Sequence, residues 1–155
     1  MECAGAITLR NFCVGDCDFL AVHHKQGMTA DEAVALVDEW NQKSFRGAYF
    51  EMFAVVYDNA PVGWISLYSH DEHTISAGME IVESARRKGF AFSALEQALG
   101  YAKALGFNTA VAQVRKNNTA SLRLHEKCGY AITGACVTSK GNEAFWLQKI
   151  LEGTQ

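Results

Sequence analysis

The feature that most constrains the fold is a change in hydrophobic period near the middle of the chain. Three apolar segments at 52–57, 62–68 and 74–82 are separated by polar turns, which predicts meandering antiparallel strands. The period then lengthens to about 3.6 residues and predicts a helix, and a strand pattern returns at 109–114. The helix places six apolar residues on one face and stops at Gly106: Ala91, Leu95, Ala98, Leu99, Ala102 and Leu105. Strand, helix and strand in this order imply a right-handed crossover and one locally parallel pair inside an otherwise antiparallel sheet.

The chain ahead of these strands predicts one strand and two helices. Residues 7–10 alternate in the manner of a strand, and Asp16 is expected to cap a short helix that follows it. Thr29 and Glu32 have the spacing of a capping box, and apolar residues recur behind them at helical spacing. The second helix is therefore amphipathic, and its apolar stripe is expected to lie on a sheet.

The carboxy-terminal third predicts a short helix and two further strands. Asn118 can cap a helix that ends at Gly129, and two last strands flank the turn Lys140-Gly141-Asn142. The full order is β-α-α-β-β-β-α-β-α-β-β. We expect an α/β (α+β) fold with a mixed, mostly antiparallel sheet, in which a ligand could enter where the two parallel strands diverge.

Composition narrows the class of protein. No linker, low-complexity tract or repeat divides the 155 residues, so residues 1–155 are expected to form a single domain. Charges of both signs are mixed to a net charge of -3, which gives no general attraction to a phosphate backbone, and no nucleic-acid partner is expected. No segment approaches the ~18 apolar residues of a membrane span, and the amino terminus has no signal-peptide pattern. The expected location is cytoplasmic, with no membrane association.

The cysteines and histidines do not predict a metal site. Five cysteines, at positions 3, 13, 17, 128 and 136, are an odd number without a secretion signal, which favours reduced thiols over a disulfide framework. Cys13 and Cys17 lie near His23 and His24, but the spacing matches no standard zinc pattern. The run His70-Asp71-Glu72-His73 falls in a predicted hairpin turn, where charged residues are ordinary.

A basic, glycine-containing turn opens the long helix at Arg86-Arg87-Lys88-Gly89-Phe90-Ala91. Free N–H groups at a helix start, together with the helix dipole, favour an anion such as pyrophosphate. Gly89 lets the backbone approach a ligand, and the small Ala91 leaves the first helical turn uncovered. For so short a pattern, a solvated basic loop is the alternative.

Two motifs in order resemble those of a known family. The loop at 86–91 has the form Gln/Arg-x-x-Gly-x-Gly/Ala. The run at 114–130 reads Val-Arg-Lys-Asn-Asn-Thr-Ala-Ser-Leu-Arg-Leu-His-Glu-Lys-Cys-Gly-Tyr. It resembles the Asn-x-x-Ala/Ser, Leu-Tyr-Glu-Lys-x-Gly-Phe segment of the GCN5-related N-acetyltransferase (GNAT) superfamily. The order of elements resembles that family along roughly the whole chain, whereas the specific residues lie between about 79 and 130.

The resemblance implies a strand pair splayed around acetyl-CoA, which would serve as acetyl donor to an amine acceptor. In such enzymes the loop binds the pyrophosphate, which makes the following residues predicted cofactor contacts: Arg86, Arg87, Lys88, Gly89, Phe90 and Ala91. The pantetheine arm would run along the strand that contains Ile81 and Val82. The second motif places Asn118 and Ser121 on the cofactor side, and a helix cap is the alternative role of Asn118. Dimerisation is common in such folds, so a homodimer is possible by analogy.

The residue at the position of the catalytic acid differs from the family pattern. Transfer needs a group that protonates or stabilises the departing CoA thiolate, and many relatives use a tyrosine on the helix after the asparagine. His125 holds that place here, so it is the predicted catalytic acid. The alternatives are a histidine that shuttles protons elsewhere and a partly buried histidine on a helix face.

The sequence offers several candidates for the base. An alkyl amine with a pKa near ~10.4 is mostly protonated at neutral pH, so direct transfer needs a base or a water relay. Ribosomal-protein acetyltransferases resemble this chain near Gln113 but have glutamate there, and an amide cannot accept the proton. Glu80 is the predicted catalytic carboxylate, Tyr130 and Tyr68 are lesser candidates, and a water chain without a dedicated base is the alternative.

Three functions therefore compete. The first is an acetyl-CoA-dependent N-acetyltransferase acting on a primary amine of a small molecule or peptide, in a ternary complex. The second is a non-catalytic acyl-CoA-binding or sensing module, suggested by His125 and Gln113 at positions where relatives have acid and base. The third is an interaction domain that keeps only the fold.

Overall fold

The structure is a computed structural model and describes residues 6–151, so Cys3 lies outside the described residues. The strands are β1 (Thr8–Asn11), β2 (Ser44–Phe45), β3 (Ala48–Tyr57), β4 (Ala60–Ser69), β5 (Thr74–Ile81), β6 (Thr109–Arg115), β7 (Ala131–Val137) and β8 (Glu143–Ile150). The helices are α1 (Cys17–Phe19), α2 (Ala30–Trp40), α3 (Phe90–Ala104) and α4 (Thr119–Lys127), with a π-helical segment at Leu20–His24 and 3₁₀ turns at Val14–Asp16 and Glu83–Ala85. None of the helices between residues 6 and 151 has both the length and the apolar content needed to cross a membrane.

The strands form one mixed sheet in the order β1-β3-β4-β5-β6-β8-β7, and β2 pairs with the start of β3. Neighbouring strands are antiparallel except β5 and β6, which are parallel and are joined through α3. Their pairing is confined to Thr74–Ser76 against Thr109–Val111. The predicted α/β (α+β) fold, with a mostly antiparallel sheet and one splayed parallel pair, is confirmed.

Helices cover both faces of the sheet. On one face, α3 packs most of the predicted apolar stripe against the centre of the sheet, where Ile65, Leu67 and Ile75 are fully buried. Leu105, the last residue of that predicted stripe, follows α3 and is 49% exposed. On the other face, α2 packs Val37 and Trp40 into a second cluster. The sheet therefore has helices on both of its faces, and α3 packs against β5 beside the β5–β6 gap.

The amino-terminal helix differs from the prediction. Asp16 was expected to cap it, but its side chain caps no helix there, and α1 is only three residues long before the π-helical segment. The carboxylate of Asp16 instead accepts hydrogen bonds from Arg10 at 2.8 and 2.9 Å and from the N–H of Cys13 at 2.9 Å. Burial opposes ionisation of Asp16, yet the hydrogen bonds from Arg10 and Cys13 hold its pKa below the ordinary value. The Asp16 carboxylate is therefore engaged by Arg10 and by the 3₁₀ turn that precedes α1.

The two other predicted helix caps are observed. Thr29 and Glu32 form the predicted capping box, and Asn118 accepts the Ser121 N–H at the start of α4. The turn expected at 58–61 is shorter than predicted, because Ala60 already begins β4 and the two-residue turn has positive φ at both positions. Such a turn matches the twist of a hairpin.

One carboxylate is buried beside the main core. The side chain of Glu51 is 2% exposed and accepts hydrogen bonds from the hydroxyls of Tyr49 and Tyr101 and from the amide of Asn11. The ammonium of Lys43 lies 3.4 Å away. Burial opposes ionisation of Glu51, but the hydrogen bonds outweigh it and hold its pKa below the ordinary value. Glu51 thus ties β3 to β1, to α3 and to the loop before β2.

Candidate functional site

A cleft opens where β5 and β6 separate. The strands are paired only as far as Ser76 and Val111, although β5 continues along β4 to Ile81 and β6 continues along β8 to Arg115. The cavity between them has a volume of about 780 Å³ and is lined by both strands and by residues of α3 and α4. This is the size of a small-molecule site. The divergence that the crossover predicted is therefore present as a slot that begins at Ser76.

The start of α3 presents free main-chain donors. Gly89 occupies the cap position with φ of 81°, and no side chain within residues 6–151 caps the helix. Ser93 makes the first bond back to the Gly89 carbonyl, so the N–H groups of Phe90, Ala91 and Phe92 have no partner inside the helix. Aligned donors of this kind, with the positive end of the dipole, are suited to a phosphate group.

Basic side chains converge beside this helix start. A recess of about 310 Å³ next to Gly89 is lined by Arg86, Arg87, Arg123 and Lys127, and no carboxylate of the described part of the chain lines it. Sequence reasoning missed Arg123 and Lys127 on α4. Their spacing of four residues, which places both on one helix face, was the signal that could have identified them. Of the predicted loop residues, Lys88 lines neither space, whereas Phe90 lines the recess although the residue is only 2% exposed.

The strand β5 supplies one edge of the cleft. The N–H of Val82 donates to Val62 of β4 at 2.9 Å. Because successive main-chain groups alternate in direction, those of Ile81 and Met79 face the gap. Ile81 therefore lies where it was predicted, whereas Val82 uses its N–H in the sheet and does not line the cleft.

Glu80 and Arg86, predicted for two different roles, contact each other. An Nη of Arg86 lies 2.6 Å from a carboxylate oxygen of Glu80, and its Nε donates to the Ile81 carbonyl at 2.7 Å. Both side chains are about half exposed, at 50% and 49%, so the ion pair contributes little stability. The ion pair does occupy the carboxylate of Glu80, the predicted base, and both residues line the cleft.

The second motif places three residues on one side of the cleft. Asn118, Ser121 and His125 all line it, and Asn118 Oδ1 accepts the Ser121 N–H at 3.1 Å. Nδ1 of His125 lies 2.8 Å from the Ser121 carbonyl oxygen, which can only accept a hydrogen bond. Nδ1 therefore has the hydrogen, and Nε2 is left as the acceptor of neutral His125 or as a donor once the ring is protonated.

The lesser candidates for the base fall into different environments. Gln113 lines the cleft, and its amide donates to Cys136 Sγ at 3.3 Å. Tyr130 is 5% exposed and does not line the cleft, and burial raises its pKa well above the ordinary value. Tyr130 therefore lies in the core, outside the cleft where a base was predicted, and packs on the His125 ring at 4.8 Å. Tyr68 lies on β4, opposite Ser76.

Metal ligands do not come together in the part of the chain that the structure describes. No group of three His, Cys, Asp or Glu side chains there has the geometry to bind an ion. His24 instead packs edge-on against Trp40 and Trp64, each at 5.2 Å. Burial lowers its pKa, which favours a neutral ring.

Comparison with known proteins agrees with this geometry. A family model described as an acetyltransferase (GNAT) domain matches residues 7–131, which is more than half of the chain. No curated protein matches in sequence.

Solved structures of similar fold cover nearly the whole chain. A GNAT-family acetyltransferase from Bacillus anthracis has a TM-score of 0.78 at 20% identity, over 97% of this chain and 98% of that one. A structure described as a probable acetyltransferase has a TM-score of 0.80 at 19% identity, over 96% and 95%. A variant of the spermidine N-acetyltransferase of Vibrio cholerae has a TM-score of 0.74 at 19% identity, over 94% of each chain. At these identities the likeness shows the fold alone.

Proposed function

The chain belongs to the GNAT acetyltransferase family, and from this premise we propose that it moves the acetyl group of acetyl-CoA to a primary amine of a small molecule or peptide. Transfer would be direct, in a ternary complex. The observation that supports this most is the continuity between the uncapped start of α3 and the slot between β5 and β6. A diphosphate at the first position would leave a thioester arm to lie in the second.

The residues present fit acetyl-CoA. The N–H groups of Phe90, Ala91 and Phe92 would bind the diphosphate, with Arg87 and Arg123 adding charge. The main-chain groups of Met79 and Ile81 would pair with the pantetheine arm as a neighbouring strand does. When bound, acetyl-CoA supplies an activated acyl group. A main-chain donor fixed beside the thioester oxygen is typically worth about 3 kcal/mol of barrier.

We assign the acid role to His125. Its Nδ1–H is committed to the Ser121 carbonyl, so the ring has a fixed orientation and a single nitrogen, Nε2, for exchange. A protonated His125 would donate from Nε2 to the departing sulfur as the carbon–sulfur bond breaks, which leaves a neutral thiol and a neutral imidazole. Asn118 supports this by capping α4 and holding Ser121 in place.

We also propose that the chain is one domain, because the described strands belong to one sheet that has β1 at one edge and β7 at the other. The cytoplasmic location and the homodimer expected from the sequence are further proposals. The first rests on composition, and the second rests on analogy with the family.

Binding is tested by thermal or chemical unfolding with and without acetyl-CoA. Ligand at about 100 times its dissociation constant should stabilise the fold by about 2.7 kcal/mol. Pantetheine, which lacks the diphosphate, should stabilise much less. An unfolding midpoint that does not move with acetyl-CoA would refute the cofactor assignment and favour the interaction domain.

Catalysis is tested by release of CoA thiol with a panel of polyamines, amino acids, aminoglycosides and peptides. Spermidine belongs in the panel because a structural neighbour is named as a spermidine N-acetyltransferase. Thiol release that requires the amine, with an acetylated product of matching mass, is the expected result. Tight acetyl-CoA binding without amine-dependent release across the panel would favour the sensing module.

A further inference from the structure

A histidine outside the motifs is connected to the base of the cleft. The ring of His70 lies beyond the end of β4, and its Nε2 is 3.0 Å from the Ser76 hydroxyl on β5. The turn that returns the chain is closed by the His70 N–H to the Thr74 carbonyl at 2.8 Å. Asp71 fixes the same turn by accepting from the N–H groups of His73 and Thr74, each at 2.8 Å. The His70–Ser76 contact is therefore held by an ordered hairpin.

Ser76 occupies a special place in the cleft. It is the last β5 residue paired with β6, opposite Val111, and the slot begins directly beyond it. Alternation along β5 places its side chain on the same sheet face as Glu80, away from the face that packs on α3. Tyr68, its partner on β4, packs edge-on against His70 at 5.3 Å. The Ser76 hydroxyl thus joins the interior of the cleft to an exposed imidazole.

Other proton acceptors in the cleft are engaged elsewhere. Among the described residues that line it, the side chains able to accept a proton from an ammonium are Glu80 and His125. Glu80 is paired with Arg86 at the mouth, and His125 lies on α4, where it is assigned to the leaving sulfur. Gln113 is an amide. The cleft therefore lacks a free base of its own at the end where β5 and β6 meet.

We propose that Ser76 and His70 form the relay that deprotonates the acceptor ammonium, an inference that rests on the proposed amine acetylation. The ammonium gives one proton to Ser76 Oγ while the Ser76 hydroxyl proton passes to His70 Nε2. The products are a neutral amine, an intact serine and an imidazolium, so atoms and charge balance. Because His70 is exposed, the imidazolium returns its proton to water.

The relay requires one particular tautomer of His70, which can be checked without measuring catalysis. Nε2 of neutral His70 must be the unprotonated nitrogen, so the hydrogen resides on Nδ1. Nitrogen chemical shifts of labelled His70 report this tautomer. Tyr68 on β4 packs against the His70 ring, and Asp71, Glu72 and His73 are the other titratable residues of the same turn. A neutral His70 protonated at Nε2 would overturn the relay.

The kinetic test uses variants of matched shape, with the panel amine that gives the highest rate. Ser76→Thr keeps the hydroxyl and Ser76→Val removes it at nearly the same volume, and both suit a strand. Ser76→Val and His70→Gln should lower kcat by about 10²-fold or more, whereas Ser76→Thr should stay within about 10-fold of wild type. The dissociation constant of acetyl-CoA should not change. His73→Gln, in the same turn, is the control and should leave kcat unchanged.

The pH profile separates proton transfer from positioning. Free amine accumulates without help as the pH approaches ~10, so the deficit of His70→Gln and Ser76→Val should shrink toward high pH. A deficit that is constant with pH, or a His73→Gln defect equal to that of His70→Gln, would overturn the relay. Wild-type rates in both relay variants would overturn it while leaving the acetyltransferase intact. Absence of amine-dependent thiol release in the wild type would overturn both.

Discussion

Substitution of Gly89 tests the helix start as a diphosphate site. Gly89 has φ of 81°, and a Cβ built there meets no atom within 4 Å. The site therefore has room for a side chain, and what a substitution changes is backbone preference and charge. Asn and Asp tolerate positive φ better than other L-residues and have nearly the same shape. Gly89→Asn and Gly89→Asp thus share the backbone cost and differ by one negative charge.

The expected size of the charge effect follows from distance and exposure. Two unit charges about 4 Å apart interact by about 1 kcal/mol in water and about 4 kcal/mol at an effective dielectric of 20. Since about 1.4 kcal/mol is tenfold in affinity, Gly89→Asp should bind CoA about 5-fold to 10³-fold more weakly than Gly89→Asn. Gly89 is exposed, so the lower part of this range is expected near physiological salt.

Calorimetric titration with CoA measures this directly. The ratio of the two dissociation constants should fall as salt is raised, because salt screens the repulsion. Pantetheine should bind both variants equally, because it has no diphosphate. Unfolding curves of the two variants check that they fold alike. Equal CoA affinities at low salt would refute the placement of the diphosphate at this helix start.

Three further substitutions test the stability of the fold. Gly63→Ala should destabilise the fold by about 1–3 kcal/mol, because its Cβ would overlap the Glu80 carbonyl oxygen and lie 2.9 Å from Ile81 Cα. Gly100→Ala, on α3 with open space around it, should stabilise by about 0.5–1 kcal/mol, and similar urea-unfolding losses for both would contradict this. Glu51→Gln should flatten the acid dependence of stability. The lowered native pKa of Glu51 makes its contribution present above an unfolded pKa of about 4.3 and lost as the pH falls through the native value. Parallel wild-type and variant curves of unfolding free energy below about pH 5 would count against this.

Local chemistry explains which elements the sequence could predict. The 3.6-residue period of α3 and the caps at Thr29 and Asn118 depend on neighbours within a turn or two of helix, and all three are observed. The predicted helix cap at Asp16 was wrong because the side chain pairs with Arg10, which lies on a different element. The two-residue strand β2 has too few residues to produce a period of its own.

In the candidate site too, main-chain features could be predicted from the sequence, whereas side-chain contacts could not. A main-chain feature such as the uncapped helix start at Gly89 could be inferred from the loop pattern, because backbone geometry follows from the order of elements. The pairing of Glu80 with Arg86 could not, since it depends on how a side chain folds back across a loop. The contact of His70 with Ser76 depends likewise on the register between β4 and β5 and on the shape of their turn.

The pairing of β5 and β6 with their outer neighbours accounts for the slot between them. Behind each edge the strand is anchored along its length, β5 by β4 up to Gly63 and Ile81 and β6 by β8 up to Arg115 and Ala144. Each strand is thus paired along the gap only with its outer neighbour, and the main-chain groups that face the gap need other partners. Arg86 already satisfies one of them, the Ile81 carbonyl. A ligand that pairs with β5 must displace that Arg86 contact or bind beside it, so Arg86→Ala should free the Ile81 carbonyl while removing a charge from the diphosphate side.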